Sequence, residues 1–180
     1  YVIGIDLGTT NSVLAYAAID AEKPQIELLP IPQLTAAATV ESRTMLPSFL
    51  YLAAEHEVKG QNSPFDLPWR SGNDYAVGLL AGRQASDVPE RTVGAAKSWL
   101  CHSRVDRNQP ILPWNAPADV KKVSPVEAAR RYLEHLASAW ESAFPHAPIA
   151  RQQVVLTVPA SFDASARELT RQAAIAAGLP

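Results

Sequence analysis

The residues best suited to chemistry sit together near the start of the chain: Asp6, Thr9, Thr10, Asn11 and Ser12, with Leu7 and Gly8 between them. They lie between two apolar runs, Val2-Ile3-Gly4-Ile5 and Val13-Leu14-Ala15-Tyr16-Ala17, which places them on the tight turn of a β-hairpin. Such a turn can aim several backbone N–H groups at one anion. The hydroxyls and the amide add side-chain donors to phosphate oxygens. Asp6, closing an apolar strand, suits a hydrated Mg²⁺, which takes one or two carboxylates together with water and phosphate. The same residues also fit a plain hairpin turn, with an Asp or Thr side chain closing on its own backbone.

Nothing else in the chain offers comparable chemistry. Cys101 and His102 are adjacent, but no second cysteine or spaced histidine completes a metal site, and a structural role is expected for both. A single cysteine excludes an internal disulfide and fits a reducing compartment. A net charge of −2 gives no basic footprint for nucleic acid. No apolar run is long enough to cross a bilayer, and no basic-then-apolar leader opens the chain. The 180 residues suffice for one domain with a real core. Opening on Tyr1 and closing on Pro180 straight after a helical pattern, the chain is expected to be part of a longer protein.

The elements that must position these residues are expected as follows. Val2–Leu7, Ser12–Ala18 and Gln25–Leu29 read as a meander of three strands with short turns. Met45–Leu52 is a further strand. A polar excursion, Glu55–Asn73, is broken by Pro64, Pro68 and Gly72. Tyr75–Leu80 reads as a strand running into a helix at Ala81–Asp87, and Val93–Leu100 as a short helix. Arg104–Ala118, with three prolines, is a loop. Ser124-Pro125-Val126-Glu127 combines an N-cap, a first-turn proline and a glutamate at the third position. Val126, Ala129, Leu133, Leu136, Trp140 and Phe144 then form an apolar helical stripe, with Arg130, Arg131, Glu134, Glu141 and Ser142 off it. Gln153–Val158 reads as a buried strand stopped by Pro159. Asp163 caps a last helix, Ala164–Ala177, closed by Gly178. The fold class is α/β.

The two ends of the chain together resemble one family. Ile3-Gly4-Ile5-Asp6-Leu7-Gly8-Thr9-Thr10-Asn11-Ser12 is similar to the opening of the DnaK-type heat-shock chaperones. Thr157-Val158-Pro159-Ala160-Ser161-Phe162, followed by Ala166-Arg167-Glu168 and Ala176-Ala177-Gly178-Leu179, resembles a second signature of that family. Leu46-Pro47-Ser48-Phe49 looks like its Thr-Pro-Ser strand entry, and Val77-Gly78 and Ala95-Ala96-Lys97 fall in the expected order. The resemblance implies a ribonuclease-H-like (actin-like ATPase) lobe, a mixed sheet flanked by helices, made of residues 1–45 and 121–180. A smaller inserted α+β subdomain would take residues 46–120. Gly8, Thr9, Thr10 and Asn11 would form the first phosphate loop for ATP or ADP, and Asp6 would hold magnesium through water. Lys97 would be the catalytic lysine reaching the γ-phosphate. Pro159 and Arg167 would belong to the relay that signals nucleotide state to a peptide-binding domain. Client polypeptides and co-chaperones would engage other parts of the protein, with no nucleic acid or membrane partner, in the cytoplasm.

The chain also departs from that family. Ser98 stands where an arginine is usual after the lysine, Trp99-Leu100-Cys101 replaces a glycine-containing turn, and Ser161 replaces a common aromatic. None of the eight glycines is adjacent to another, so a second glycine-rich phosphate loop is missing, as is an Asn-Glu-Pro segment. Lobe II and any peptide-binding domain are therefore expected to be absent from this chain, which alone should bind ATP weakly or not at all and show no turnover. Sugar kinases of the glycerol-kinase type open with a similar Asp-x-Gly-Thr-Thr but have no counterpart to the second signature. A relative that binds nucleotide without hydrolysing it is the other alternative.

Overall fold

The computed structural model describes residues 1–59 and 62–180; Gly60 and Gln61, inside the expected Glu55–Asn73 excursion, lie outside the described residues. The chain opens with β1 (Val2–Asp6) and β2 (Asn11–Ala17), an antiparallel hairpin in which Asp6 faces Val13 and Val2 faces Ala17. β3 (Glu27–Leu28) extends the meander along β2. It is cut to two residues between Pro24 and Pro30, neither of which can donate to a ladder. A hairpin not expected from the sequence follows: β4 (Ile31–Ala36) and β5 (Thr39–Arg43). Its signals are weak for physical reasons. Every residue of β5 is exposed, and the turn uses Ala38 at φ +54 where a glycine or asparagine would normally advertise it.

The expected strand Met45–Leu52 is two pieces. β6 (Leu46–Pro47) pairs with Asn11 and Ser12 of β2, and β7 (Leu50–Leu52) is the centre of a separate sheet. Its neighbours are β8 (Tyr75–Val77) and β9 (Thr92–Val93), with α1 (Leu79–Asp87) between them in sequence. The short helix expected from Val93 begins three residues later, as α2 (Ala96–Leu100). Gln33, fully buried on β4, ties these parts together. Its amide donates to the Met45 carbonyl at 2.9 Å and its carbonyl accepts from the Leu79 N–H, at the start of α1, at 3.0 Å.

α3 (Pro125–Ala143) starts where the capping signal says it should, with Ser124 Oγ accepting from the Glu127 N–H at 3.0 Å. Glu127 does not return the bond as in a full capping box. Its carboxylate takes the Arg130 and Arg131 guanidiniums instead, which hold it down at about 2. Arg131 is only 9% exposed, although its place off the apolar stripe suggested solvent, because its guanidinium covers the Tyr75 ring at 4.2 Å. His135 is likewise buried. It donates from Nε2 to the Pro32 carbonyl at 2.9 Å, and burial pushes its pKa down to about 4. Leu133, Leu136 and Trp140 form the core under β1 and β2 with Ile3, Ile5 and Leu14.

β10 (Gln153–Thr157) then enters parallel to β1, giving a mixed sheet in the order β10-β1-β2-β3. β10 was expected to be buried. Among the described residues it has a single neighbour, β1, and its side chains alternate between exposed and half-buried, with Val155 56% exposed. Helices cover only the face that carries Ile3, Ile5 and Leu14; the other face, with Val2, Gly4, Asp6 and Val155, stays open or half-open. α4 (Ala164–Ala176) packs on α3, capped by Asp163 Oδ1 accepting from the Ala166 N–H at 2.6 Å. It ends at Gly178, whose φ of +88 is the left-handed turn that a side chain would disfavour.

Candidate functional site

The turn between β1 and β2 is built to be bare backbone. A Cβ on Gly8 would lie 1.9 Å from the Asn11 carbonyl oxygen, so the chain can close this tightly only with glycine there. Thr9, Thr10 and Asn11 are exposed at the tip, while Ser12 is fully buried. The turn is held from below by a residue to which the sequence assigns no role. Ser48, in the break between β6 and β7, donates its hydroxyl to the Gly8 carbonyl at 2.8 Å and its N–H to the Thr10 carbonyl at 2.8 Å. Its hydroxyl also meets the Ser12 hydroxyl at 3.0 Å. Three bonds to three turn residues fix the conformation before any ligand arrives. The only sequence trace of this clamp is a Pro-Ser pair closing an apolar entry, and the partner lies 40 positions upstream.

Asp6 ends β1 beside Thr157, which ends β10, because the two strands run parallel in register. Loops at the carboxyl ends of parallel strands are where open α/β sheets place ligands. Thr157 Oγ1 donates to Asp6 Oδ1 at 3.1 Å, which orients the carboxylate. Asp6 is exposed, whereas its apolar strand suggested shelter: it sits on the sheet face that no helix covers. Among the described residues no three His, Cys, Asp or Glu side chains converge to hold a metal, so Asp6 is not part of a multi-ligand protein cage. That donor set, one hard oxygen anion beside a phosphate-sized N–H cradle, fits magnesium held through water and phosphate rather than a dedicated protein cage. Cys101 and His102 make no such site either; the His102 ring stacks on Trp99 at 5.3 Å.

Lys97 lies apart from the turn on α2, and no hydrogen bond joins the two. The connection runs through the strands. β6 pairs with Asn11 and Ser12, Leu50 of β7 pairs with Val93 of β9, and α2 begins three residues after Val93. α2 enters through Ala95 at φ +52 with no side-chain cap, a strained start of the kind that persists only where surrounding structure imposes it. Ala96 and Leu100 are buried, Lys97 is half-buried, and among the described residues its ammonium has no acid or hydrogen-bond partner. Pro159 stands two residues past the end of β10. Arg167, on the first turns of α4, reaches back to the Phe162 carbonyl at 3.0 Å and the Ala160 carbonyl at 3.4 Å, pinning the turn that Pro159 opens. The structure thus gathers Asp6, Gly8, Thr9, Thr10 and Asn11 in one place, adds Ser48 and Thr157, and keeps Lys97 and the Pro159–Arg167 turn on separate elements.

Over 182 aligned residues, 99% of this chain, the sequence is 30% identical to the chaperone protein DnaK of Stenotrophomonas maltophilia (strain R551-3). The chain spans about a quarter of that protein's length. No family model matches. The likeness runs from end to end of the chain and supports a distant DnaK-like relationship. Among the described residues no helix is long and apolar enough to cross a membrane.

Proposed function

We propose that this chain is lobe I of an actin-like ATPase domain, ribonuclease-H-like in its core with residues 46–120 as the inserted subdomain, in a DnaK-like chaperone relative of the cytoplasm. The observation that carries the reading is the β1–β2 turn: a backbone cradle locked by Ser48, beside an oriented carboxylate at the carboxyl ends of two parallel strands. The end-to-end likeness to DnaK supports it. The N–H groups and hydroxyls of Gly8, Thr9, Thr10 and Asn11 bind the phosphates of ATP or ADP and exclude water from one side of them. Asp6 holds magnesium through water, with Thr157 fixing the carboxylate. Magnesium, when bound, supplies positive charge that offsets the phosphate oxygens. Lys97 brings an unpaired ammonium toward the transferring phosphoryl group, where a positioned charge stabilises the transition state. The turn between Pro159 and Arg167 reports nucleotide state to the rest of the protein, whose other parts meet client polypeptides and co-chaperones. Ser98, where the family usually has arginine, favours a second reading in which nucleotide is bound but not hydrolysed.

The test is thermal unfolding of wild type and Asp6→Asn, with and without Mg-ATP, in a protein that carries both lobes. Asparagine keeps the Thr157 bond and removes the charge. Mg-ATP is expected to raise the wild-type melting temperature, and Asp6→Asn to lose most of that rise while melting normally without ligand. Equal stabilisation of both proteins would return the turn to a purely structural role.

A further inference from the structure

α2 is too short to hold its own direction. Five residues make barely one helical turn, and isolated helices of that length are unstable in water. Its start is a strained, uncapped Ala95, so the aim of Lys97 depends on what grips the other end. Leu100 itself is buried in the core, and its backbone is gripped by Arg107, whose side chain is only 15% exposed although it comes from the proline-rich segment 104–118. Nη1 donates to the carbonyl of Leu100, the last residue of α2, at 2.8 Å. A cation suits this place, since the final carbonyls of a helix lack partners and carry partial negative charge. The same nitrogen stands 3.7 Å from Asp163 Oδ1, the oxygen that caps α4. Asp163 in turn sits midway between Pro159 and Arg167, the two ends of the turn that Arg167 pins.

We infer that Arg107 is a positioning residue that latches the Lys97 helix to the capped start of α4, so that the lysine and the Pro159–Arg167 turn move as one unit. The inference rests on the proposed role of Lys97. A charge on one short helix and a turn on another are joined by one guanidinium nitrogen, which carries two N–H groups and can face both partners. Displacement of the Pro159–Asp163 turn shifts Asp163, and through Arg107 it pulls on the end of α2. Releasing the latch leaves the phosphate turn untouched, because Gly8, Thr10 and Ser12 are gripped by Ser48 instead.

The experiment compares wild type, Lys97→Ala, Arg107→Met, Asp163→Asn and the double variant Lys97→Ala/Arg107→Met in a protein with both lobes. It reads kcat and nucleotide affinity, together with amide hydrogen exchange over residues 96–101 and 8–12. Arg107→Met is expected to lower kcat roughly ten- to a hundredfold, the scale of a misplaced catalytic group, with affinity within about twofold. Exchange should quicken over 96–101 and not over 8–12. Asp163→Asn keeps an N-cap side chain but loses the charge opposite Arg107, so it should show a weaker form of the same pattern. The double variant should be no slower than Lys97→Ala alone. Unchanged kcat in Arg107→Met, or equal loss of affinity and kcat with faster exchange throughout, would overturn the latch while leaving the function of Lys97 intact. Wild-type kcat in Lys97→Ala would overturn the reading of Lys97 itself, and the latch with it.

Discussion

The β1–β2 turn and α2 carry the two charged groups proposed to act on phosphate, and they are built in opposite ways. The turn is over-determined: Gly8 admits no side chain, and Ser48 ties three of its residues within 3.0 Å. α2 is held differently: it is short, has no side-chain cap, is strained at Ala95, and depends on the burial of Ala96 and Leu100 and on Arg107 at its far end. Under the proposed function, the rigid cradle would serve binding and the separate, short lysine helix would serve catalysis. The contrast also teaches where a sequence motif comes from. Gly8 writes one constraint of the turn into the motif itself, whereas Ser48 on the turn and Arg107 on α2 act from distant positions.

The largest effect expected from breaking this contrast is at Gly8. Gly8→Ala drives a methyl into the Asn11 carbonyl, and overpacking of this kind costs about 1–3 kcal/mol even where neighbours can shift. Chemical denaturation should show a loss at or above that range, and Mg-ATP should no longer raise the melting temperature of the two-lobed protein. A ligand-induced rise equal to wild type would show that the turn is not the cradle.

Ser48→Ala should come next. It strips the Gly8 carbonyl and the Ser12 hydroxyl of a buried partner, and such unsatisfied groups cost about 1–3 kcal/mol. The loss is expected in urea unfolding of the 180-residue chain, together with faster hydrogen exchange over residues 8–12 and unchanged exchange over 96–101. Equal change in both regions would mean that the two are not mechanically separate.

Ala95→Gly should give the smallest effect and the opposite sign. A left-handed alanine costs about 1–2 kcal/mol, and glycine gives back part of that gain through unfolded-state entropy. Net stabilisation of about 0.5–1 kcal/mol is expected by urea unfolding. Destabilisation would show that α2 is not strained at its start and that the contrast with the turn is smaller than argued.

The sequence alone determined the elements whose causes are local. The β1–β2 hairpin, the Ser124 cap, the Asp163 cap and the Gly178 stop each follow from a few neighbouring residues, because a turn or helix end satisfies its own backbone groups within one or two turns of chain. The Asp6–Asn11 cluster was legible for the same reason. Tertiary structure alone decided the rest. β4 and β5 went unseen because an exposed strand has no apolar alternation and Ala38 is no turn signal. Arg131 and His135 are buried because partners on other elements, Tyr75 and Pro32, pay the desolvation that sequence position cannot reveal. Asp6 is exposed because no helix covers its face of the sheet. Thr157 reaches Asp6, Ser48 reaches Gly8 and Arg107 joins α2 to α4 only once parallel register, a strand break and a proline-rich loop bring them together across 151, 40 and 56 positions of chain. Short-range hydrogen bonding writes itself into adjacent residues; long-range pairing is fixed by packing, and only the folded chain displays it.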